Sequence, residues 1–318
     1  MPDSTLRGRF IWHDLMTTDP DAAVRFYTTV VGWGIQPWEQ DPAYRMWTVD
    51  SGPLGGVMRL PEDARQMGAP PSWLMYVGVP DVDTTVREAS ARGGRTYVQP
   101  RDIPVGRFAV LADPQGATFA VYQPNEAYSG SDEADVRGFS WHELATTDWR
   151  AAWDFYHALF GWETTDAMDM GAAGVYQMFG RAGRTLGGLY GKPADQPGPP
   201  AWLCYVRVPD ADRAVAAVRR GGGTLLNGPM EVPGGDRIAQ LLDPQGAAFA
   251  VHSPATRPAA RPAPRARRKP KKKAAPKKQP AASKKKRPAK KQAGKRPRAT
   301  SRKRAGKPRR TRNRRSRK

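Results

Sequence analysis

The sequence is short of several things that would narrow its chemistry. It has one cysteine, Cys204, and four histidines, His13, His142, His157 and His252, among 318 residues. A single thiol excludes an internal disulfide framework and suits a reducing cytosol. Four imidazoles are too few for two complete His-rich metal sites. No window approaches the roughly 20 consecutive apolar residues needed to span a bilayer. The N-terminal MPDSTLRGRFIWHD lacks an apolar run of signal-peptide type. The expected location is therefore the cytoplasm. Aromatic residues stop at Phe249, and acidic residues are absent from Ala255 to Lys318.

That last absence divides the chain. Of the 52 Lys and Arg, 31 lie between Ala255 and Lys318, so the first 254 residues carry 21 basic against 30 acidic side chains. The overall charge of +22 averages an acidic body and a strongly basic tail. A tail with nine prolines and no aromatics cannot bury enough apolar surface to offset its chain entropy, so it is expected to be disordered.

The body is written twice. WHDLMTTDPDAAVRFYTTVVGW at 12–33 returns as WHELATTDWRAAWDFYHALFGW at 141–162. PSWLMYVGVPD at 71–81 returns as PAWLCYVRVPD at 200–210, and LADPQGATFAVYQP at 111–124 as LLDPQGAAFAVHSP at 241–254. LGG at 54–56 recurs at 186–188. A period near 130 residues means tandem domains, because solenoid repeats are far shorter. The expected boundaries are 1–126 for the first domain, 127–136 for a polar linker, 137–254 for the second domain and 255–318 for the tail.

Within each copy the pattern reads strand, helix, three strands, and then the same again. Asp19 is placed to cap a helix whose apolar stripe is Ala23, Phe26, Tyr27, Val30 and Val31, ended by Gly32. The second copy repeats the stripe with Ala152, Phe155, Tyr156, Leu159 and Phe160. A second helix is expected from about Asp81 to Arg92, stopped by Gly93-Gly94. Asp113-Pro114-Gln115-Gly116 is a turn before the last strand.

A first strand followed by D-x-x-x-A-x-x-F-Y-x-x-x-x-G-W, and closed by D-P-x-G before a last strand, resembles the vicinal oxygen chelate superfamily. That group includes glyoxalase I, extradiol dioxygenases and bleomycin-resistance proteins. W-H-[DE]-L-x-T-x-D is further similar to a two-domain subgroup labelled as hydroxylases. The resemblance implies an α+β fold of two tandem glyoxalase-like domains, each of two βαβββ modules around a cup-shaped cleft. It also implies chemistry of the lyase or oxidoreductase type, in a monomer or a homodimer.

Metal-dependent members of that family carry ligands on the first, fifth and last strands and near the fourth. Counted from Asp19, Asp81 and the D-P-x-G turns, those positions fall here on Trp12, Leu74 and Ala120, and on Trp141, Leu203 and Ala250. None has a ligand atom, and Gly55–Met58 and Gly187–Tyr190 offer no carboxylate or imidazole. No metal is therefore expected, with a divalent ion held by Asp14, His13 or His252 as the alternative. Because side chains alternate along a strand, His13 and His142 should face the helices as core histidines, and Cys204 reads as a buried small hydrophobe. Asp14 and Glu143 share the face of Trp12 and Trp141, which makes them the candidate catalytic carboxylates. Tyr76, Tyr122, Tyr205 and His252 share that face and, with the two tryptophans, are the expected ligand-binding groups.

The tail, KPKKKAAPKKQPAASKKKRPAKKQAGKRP, is similar in Lys, Ala and Pro content to linker-histone arms. Lys271, Lys272, Lys273, Lys284, Lys285, Lys286, Arg287, Arg309, Arg310, Arg314 and Arg315 form its densest clusters. Such a chain binds nucleic acid by counterion release, without sequence preference. The composite expectation is a protein that binds a small molecule, with or without metal-independent catalysis, held near the nucleoid by its tail. The alternatives are a metal-dependent lyase or dioxygenase and a non-catalytic structural protein associated with DNA.

Overall fold

The computed structural model describes residues 6–128 and 130–255. The expectations for the tail, including the lysine and arginine clusters named above, lie outside those residues. Among the described residues, sixteen strands and five α-helices follow one another, all but one short helix arranged in four modules.

The first module is β1 (Phe10–Thr17), α1 (Pro20–Val30), β2 (Gly34–Trp38), β3 (Asp41–Val49) and β4 (Gly52–Arg59). A short helix α2 (Glu62–Gln66), which no sequence signal announced, leads to the second module: β5 (Ser72–Gly78), α3 (Val82–Ala91), β6 (Arg95–Ile103), β7 (Gly106–Ala112) and β8 (Thr118–Pro124). The third module is β9 (Phe139–Thr146), α4 (Trp149–Phe160), β10 (Glu163–Asp169), β11 (Val175–Arg181) and β12 (Arg184–Gly191). The fourth is β13 (Ala201–Arg207), α5 (Ala211–Arg220), β14 (Thr224–Glu231), β15 (Arg237–Leu242) and β16 (Ala248–Ser253).

Each pair of modules makes one eight-stranded mixed sheet. Its order is β2-β3-β4-β1-β5-β8-β7-β6 in the first domain and β10-β11-β12-β9-β13-β16-β15-β14 in the second. The first strands of the modules, β1 and β5, pair antiparallel at the centre, with Trp12 opposite Tyr76, His13 opposite Met75 and Asp14 opposite Leu74. Local chemistry sets the helix ends. The side chain of Asp19 accepts from the Ala22 amide at 3.0 Å, and Asp81, Asp148 and Asp210 cap the next three module helices in the same way. Gly32 and Gly161, at φ +84° and +66°, turn the chain out of α1 and α4 where a Cβ would be strained.

The helices of one domain pack against those of the other, so each hydrophobic core is shared. Leu15, Phe26, Tyr27 and Trp33 of the first module, with Trp73 of the second, pack with Val215, Val218, Leu241, Phe249 and Val251 of the fourth. Met75, Val86 and Phe119 of the second module pack with Phe155, Tyr156, Phe160 and Trp162 of the third and Trp202 of the fourth. The two domains thus pair within one chain, in an arrangement related by an approximate twofold axis.

The twice-written motifs meet across this axis. Tyr27 donates its hydroxyl to Asp243 Oδ2 at 3.2 Å, and Tyr156 donates to Asp113 Oδ2 at 3.0 Å. The other oxygen of each aspartate holds its own turn: Asp113 Oδ1 accepts from the Gln115 and Ala117 amides at 2.9 and 2.8 Å. Trp73 and Trp202 donate to the Tyr27 and Tyr156 hydroxyls, each at 3.0 Å. Trp33 and Trp162 donate across the interface to the carbonyls of Arg137 and Gly8. The F-Y, G-W and D-P-Q-G motifs are therefore, in large part, one interface read from both sides.

Removing one hydroxyl leaves a buried carboxylate oxygen short of a donor, which costs about 1–3 kcal/mol. Tyr156→Phe should lower the unfolding free energy by that amount in urea titrations. Asp113→Ala should cost more than Tyr156→Phe, because it also releases the two turn amides.

Candidate functional site

On the face opposite the helices, each sheet holds one buried carboxylate. Asp14 in β1 is 5% exposed and Glu143 in β9 is 8% exposed. Asp14 Oδ1 accepts from Trp12 Nε1 at 2.9 Å and from the Tyr44 hydroxyl at 2.6 Å, while Oδ2 accepts from the Tyr76 hydroxyl at 2.8 Å. The indole N–H of Trp12 also reaches the Tyr44 hydroxyl at 2.7 Å. Glu143 accepts from Tyr176 at 3.0 Å, from Tyr205 at 3.2 Å and from the Gln240 amide at 3.0 Å. Trp141 Nε1 donates to the Tyr176 hydroxyl at 2.8 Å and so touches the carboxylate through one intermediate.

Expected and observed site residues divide cleanly. Trp12, Asp14 and Tyr76 converge in the first domain, and Trp141, Glu143 and Tyr205 in the second. Tyr122 donates instead to the Val105 carbonyl at 2.6 Å. The ring nitrogens of His252 lie 2.8 Å from Asp236 and 3.1 Å from Ser140 Oγ. Neither reaches a central carboxylate. Tyr44, Tyr176 and Gln240 were not expected in the sites. They come from the outer strands β3, β11 and β15, whose pairing carries them onto the acids' face. Met46, two residues after Tyr44, pairs with Gly56, and Gly56 with Asp14. Met178, two after Tyr176, pairs with Gly188, and Gly188 with Glu143. Gln240 pairs with Ala250, itself opposite Tyr205. A sequence signal did exist in LGG. A Cβ on Gly56 would lie 2.0 Å from the Tyr44 hydroxyl and 2.6 Å from Asp14 Oδ1, and one on Gly188 would lie 2.0 Å from the Tyr176 ring. The glycines make room for these tyrosines.

Burial raises the pKa of Asp14 and of Glu143, opposed by the tyrosine, tryptophan and glutamine donors. Burial and the neighbouring carboxylate also push the Tyr44 and Tyr76 hydroxyls upward, so they remain donors. The sites are not copies. The second has the longer acid, and Gln240, opposite Ala250, stands where the first has Val110 opposite Ala120.

The places where the family would hold a metal do not fit one. Trp12 turns its N–H toward Asp14, Leu74 and Ala120 are buried without a ligand atom, and Gly56 has no room for a side chain. Ligand types gather elsewhere. His13, His142 and Cys204 are buried at 3, 5 and 2% exposure on the helix side of the sheets, their ligand atoms within 4.8 Å of one another. His13 does face the helices, but its partner is His142, with the two Nε2 atoms 2.8 Å apart. Cys204, read from the sequence as a hydrophobe without a partner, lies beside both. The expectation that no metal ligands assemble is corrected by this cluster, which fits the metal alternative at residues that the alternative named only in part.

An acid whose pKa is raised by folding holds its proton more tightly in the native state. Native stability from Asp14 and Glu143 is then greatest at low pH and declines as pH rises from the ordinary carboxylate range through the raised values. Asp14→Asn combined with Glu143→Gln should flatten that decline. Thermal unfolding at about pH 5 and about pH 8 checks it, with a smaller difference expected for the double variant.

Comparison with known proteins agrees with this architecture. The Glyoxalase-like domain family matches residues 11–122, and the Glyoxalase/Bleomycin resistance protein/Dioxygenase superfamily matches residues 138–251. The chain is 33% identical over 252 residues to CFP32 of Mycobacterium tuberculosis, a protein named as a glyoxylase, covering 77% of this chain and 94% of that one. It is 32% identical over 259 residues to the anthracycline biosynthesis protein DnrV of Streptomyces peucetius, covering 77% and 92%. Among solved structures, the Mn(II)-bound glyoxalase from Novosphingobium aromaticivorans shares the fold at a TM-score of 0.52 and 16% identity, over 78% of this chain and 82% of that one. The 2,3-dioxygenase LapB from Pseudomonas sp. KL28 shares it at 0.55 and 11%, over 80% and 95%. The chain belongs to the glyoxalase/bleomycin resistance protein/dioxygenase superfamily, with two glyoxalase-like domains in tandem.

Proposed function

We propose that the two carboxylate sites bind a planar, hydroxyl-bearing aromatic molecule without a metal ion, and that the basic tail holds the protein on nucleic acid. One observation carries the first half: on the face away from the helices each sheet buries a carboxylate whose side-chain partners are mainly aromatic hydroxyl and indole N–H groups. Tryptophan and tyrosine offer stacking faces to a flat ligand. The carboxylate exchanges one tyrosine hydroxyl for a ligand hydroxyl. Its raised pKa suits Asp14 to passing a proton to or from that group, which is the metal-independent reaction open to this site. Proton transfer at Asp14 or Glu143 is the enzymatic reading, and binding alone is the other. DnrV, to which the chain is 32% identical, is named for anthracycline biosynthesis.

A metal-dependent lyase or dioxygenase reaction is disfavoured in these sites, because the positions that would grip the ion carry indole, aliphatic and glycine residues. In the tail, Lys271–Lys273, Lys284–Arg287, Arg309, Arg310, Arg314 and Arg315 supply the cations. If about ten engage phosphates, the logarithm of affinity falls with that of salt at a slope near −9.

Tryptophan-fluorescence titration with hydroxylated polycyclic aromatics tests the sites. Asp14→Asn or Tyr44→Phe should each weaken binding roughly tenfold, the equivalent of about 1.4 kcal/mol. Unchanged affinity in both, with the second-domain counterparts equally silent, would defeat the assignment. Gel-shift titration of the full chain against residues 1–254 tests the tail. The full chain should lose at least about a thousandfold in affinity between 50 and 200 mM salt, and the shortened chain should bind no DNA.

A further inference from the structure

We propose that His13, His142 and Cys204 form a binding site for one thiophilic metal ion, Zn2+ or Cu+, on the approximate twofold axis between the domains. The site lies on the opposite face of the sheets from the carboxylates and is independent of the ligand reading above.

The two imidazoles are held as a preset pair. Phe10 stacks on His142 with centroids 3.5 Å apart, and Phe139 stacks on His13 at 3.7 Å, each phenylalanine coming from the other histidine's domain. The rings are tilted by only 21° to one another and direct Nε2 at Nε2 across 2.8 Å. Their remaining nitrogens face backbone carbonyls: that of Leu54 for His13, and that of Leu186, 3.4 Å from Nδ1, for His142. These carbonyls belong to the two LGG motifs.

With each Nδ1–H directed to its carbonyl, both Nε2 lone pairs point at one spot. A neutral pair can relieve this only by moving a proton from Nδ1 to Nε2 on one ring, which then turns a lone pair toward a carbonyl. A metal ion satisfies both nitrogens and keeps both Nδ1–H contacts, the outer-shell arrangement typical of metal-bound histidine.

The sulfur donors select the ion. Cys204 pairs with His142 across β13 and β9, and Met75 holds the equivalent place beside His13 across β5 and β1. A thiolate with a thioether in the adjoining position favours a soft ion over Mg2+, Ca2+ or Mn2+. Zinc–nitrogen bonds of about 2.0–2.1 Å at a tetrahedral angle separate the nitrogens by roughly 3.3 Å, so the rings part by about half an ångström. The thiol releases its proton to solvent as the sulfur–metal bond forms. A cavity of about 60 Å³ lined by Phe10, Ser140, His142, Leu186 and the linker residues Asp132 and Glu133 gives the ion a route.

Full-length protein stripped by chelator is titrated separately with Zn2+ and with Cu+ against a colorimetric competitor, and with Co2+ as a spectroscopic probe. One ion per chain is expected, with a thiolate-to-cobalt charge-transfer band and a higher thermal unfolding temperature when loaded. Which of Zn2+ and Cu+ binds more tightly identifies the ion. Cys204→Ser should abolish the band and weaken binding at least about a hundredfold. His142→Gln should do likewise, and His157→Gln should change nothing. If His142→Gln fails to fold, Cys204→Ser carries the test, being close to the parent in volume. Absence of a stoichiometric ion in folded full-length protein would overturn the site. So would an ion whose affinity changes less than tenfold in Cys204→Ser.

Discussion

Two hydrogen bonds between tyrosine and aspartate, Tyr27 to Asp243 and Tyr156 to Asp113, join the most local feature of this chain to its most global one. Each aspartate uses one oxygen to close the turn before its last strand and the other to receive a tyrosine from the opposite domain. A tight turn, a helix face and the domain interface thus depend on the same carboxylate. Burial raises the pKa of both aspartates, against the pull of the turn amides and the tyrosine hydroxyl. The arrangement is stable only with its donors in place, because an unsatisfied carboxylate inside a shared core is expensive.

This packing decides what each sheet face can do. Once the helices are committed to the interface, alternation along β1 and β9 turns His13 and His142 toward the axis and Trp12, Asp14, Trp141 and Glu143 away from it. The acids meet aromatic donors, and the imidazoles meet each other. A single-residue change of register would exchange these two environments. Duplication therefore gives the molecule one polar site per domain and a third cluster that no single domain could form.

Departures from strict symmetry carry the chemistry that differs. Aspartate against glutamate, Val110 against Gln240, and Met75 against Cys204 are substitutions at matched positions in an otherwise repeated scaffold. The first two give the carboxylate sites different depth and polarity. The third makes the histidine cluster lopsided, with a titratable thiol on one side only.

Local signals made the modules readable. Asp19, Asp81, Asp148 and Asp210 before apolar stripes, D-P-Q-G before the last strands, and period-two alternation around Trp12 and Asp14 each act over a few residues. The placement of Trp12, Asp14 and Tyr76 on one face followed from that alternation. Tyr44, Tyr176 and Gln240 escaped because local alternation gives the two faces of one strand but not which strand it pairs with or in what register, and that pairing is what sets them beside the acids. The meeting of His13, His142 and Cys204 could not be read at all, since their separations of 129 and 62 residues along the chain say nothing of their distance in space. By itself the sequence determined the two tandem domains, the sheet face of each first-strand side chain and the polarity of the tail, because periodicity and charge are properties of neighbouring residues. Tertiary structure alone decided which tyrosines grip each acid and that two histidines share one axis, because those contacts exist only when two separately legible domains bury their helices against each other.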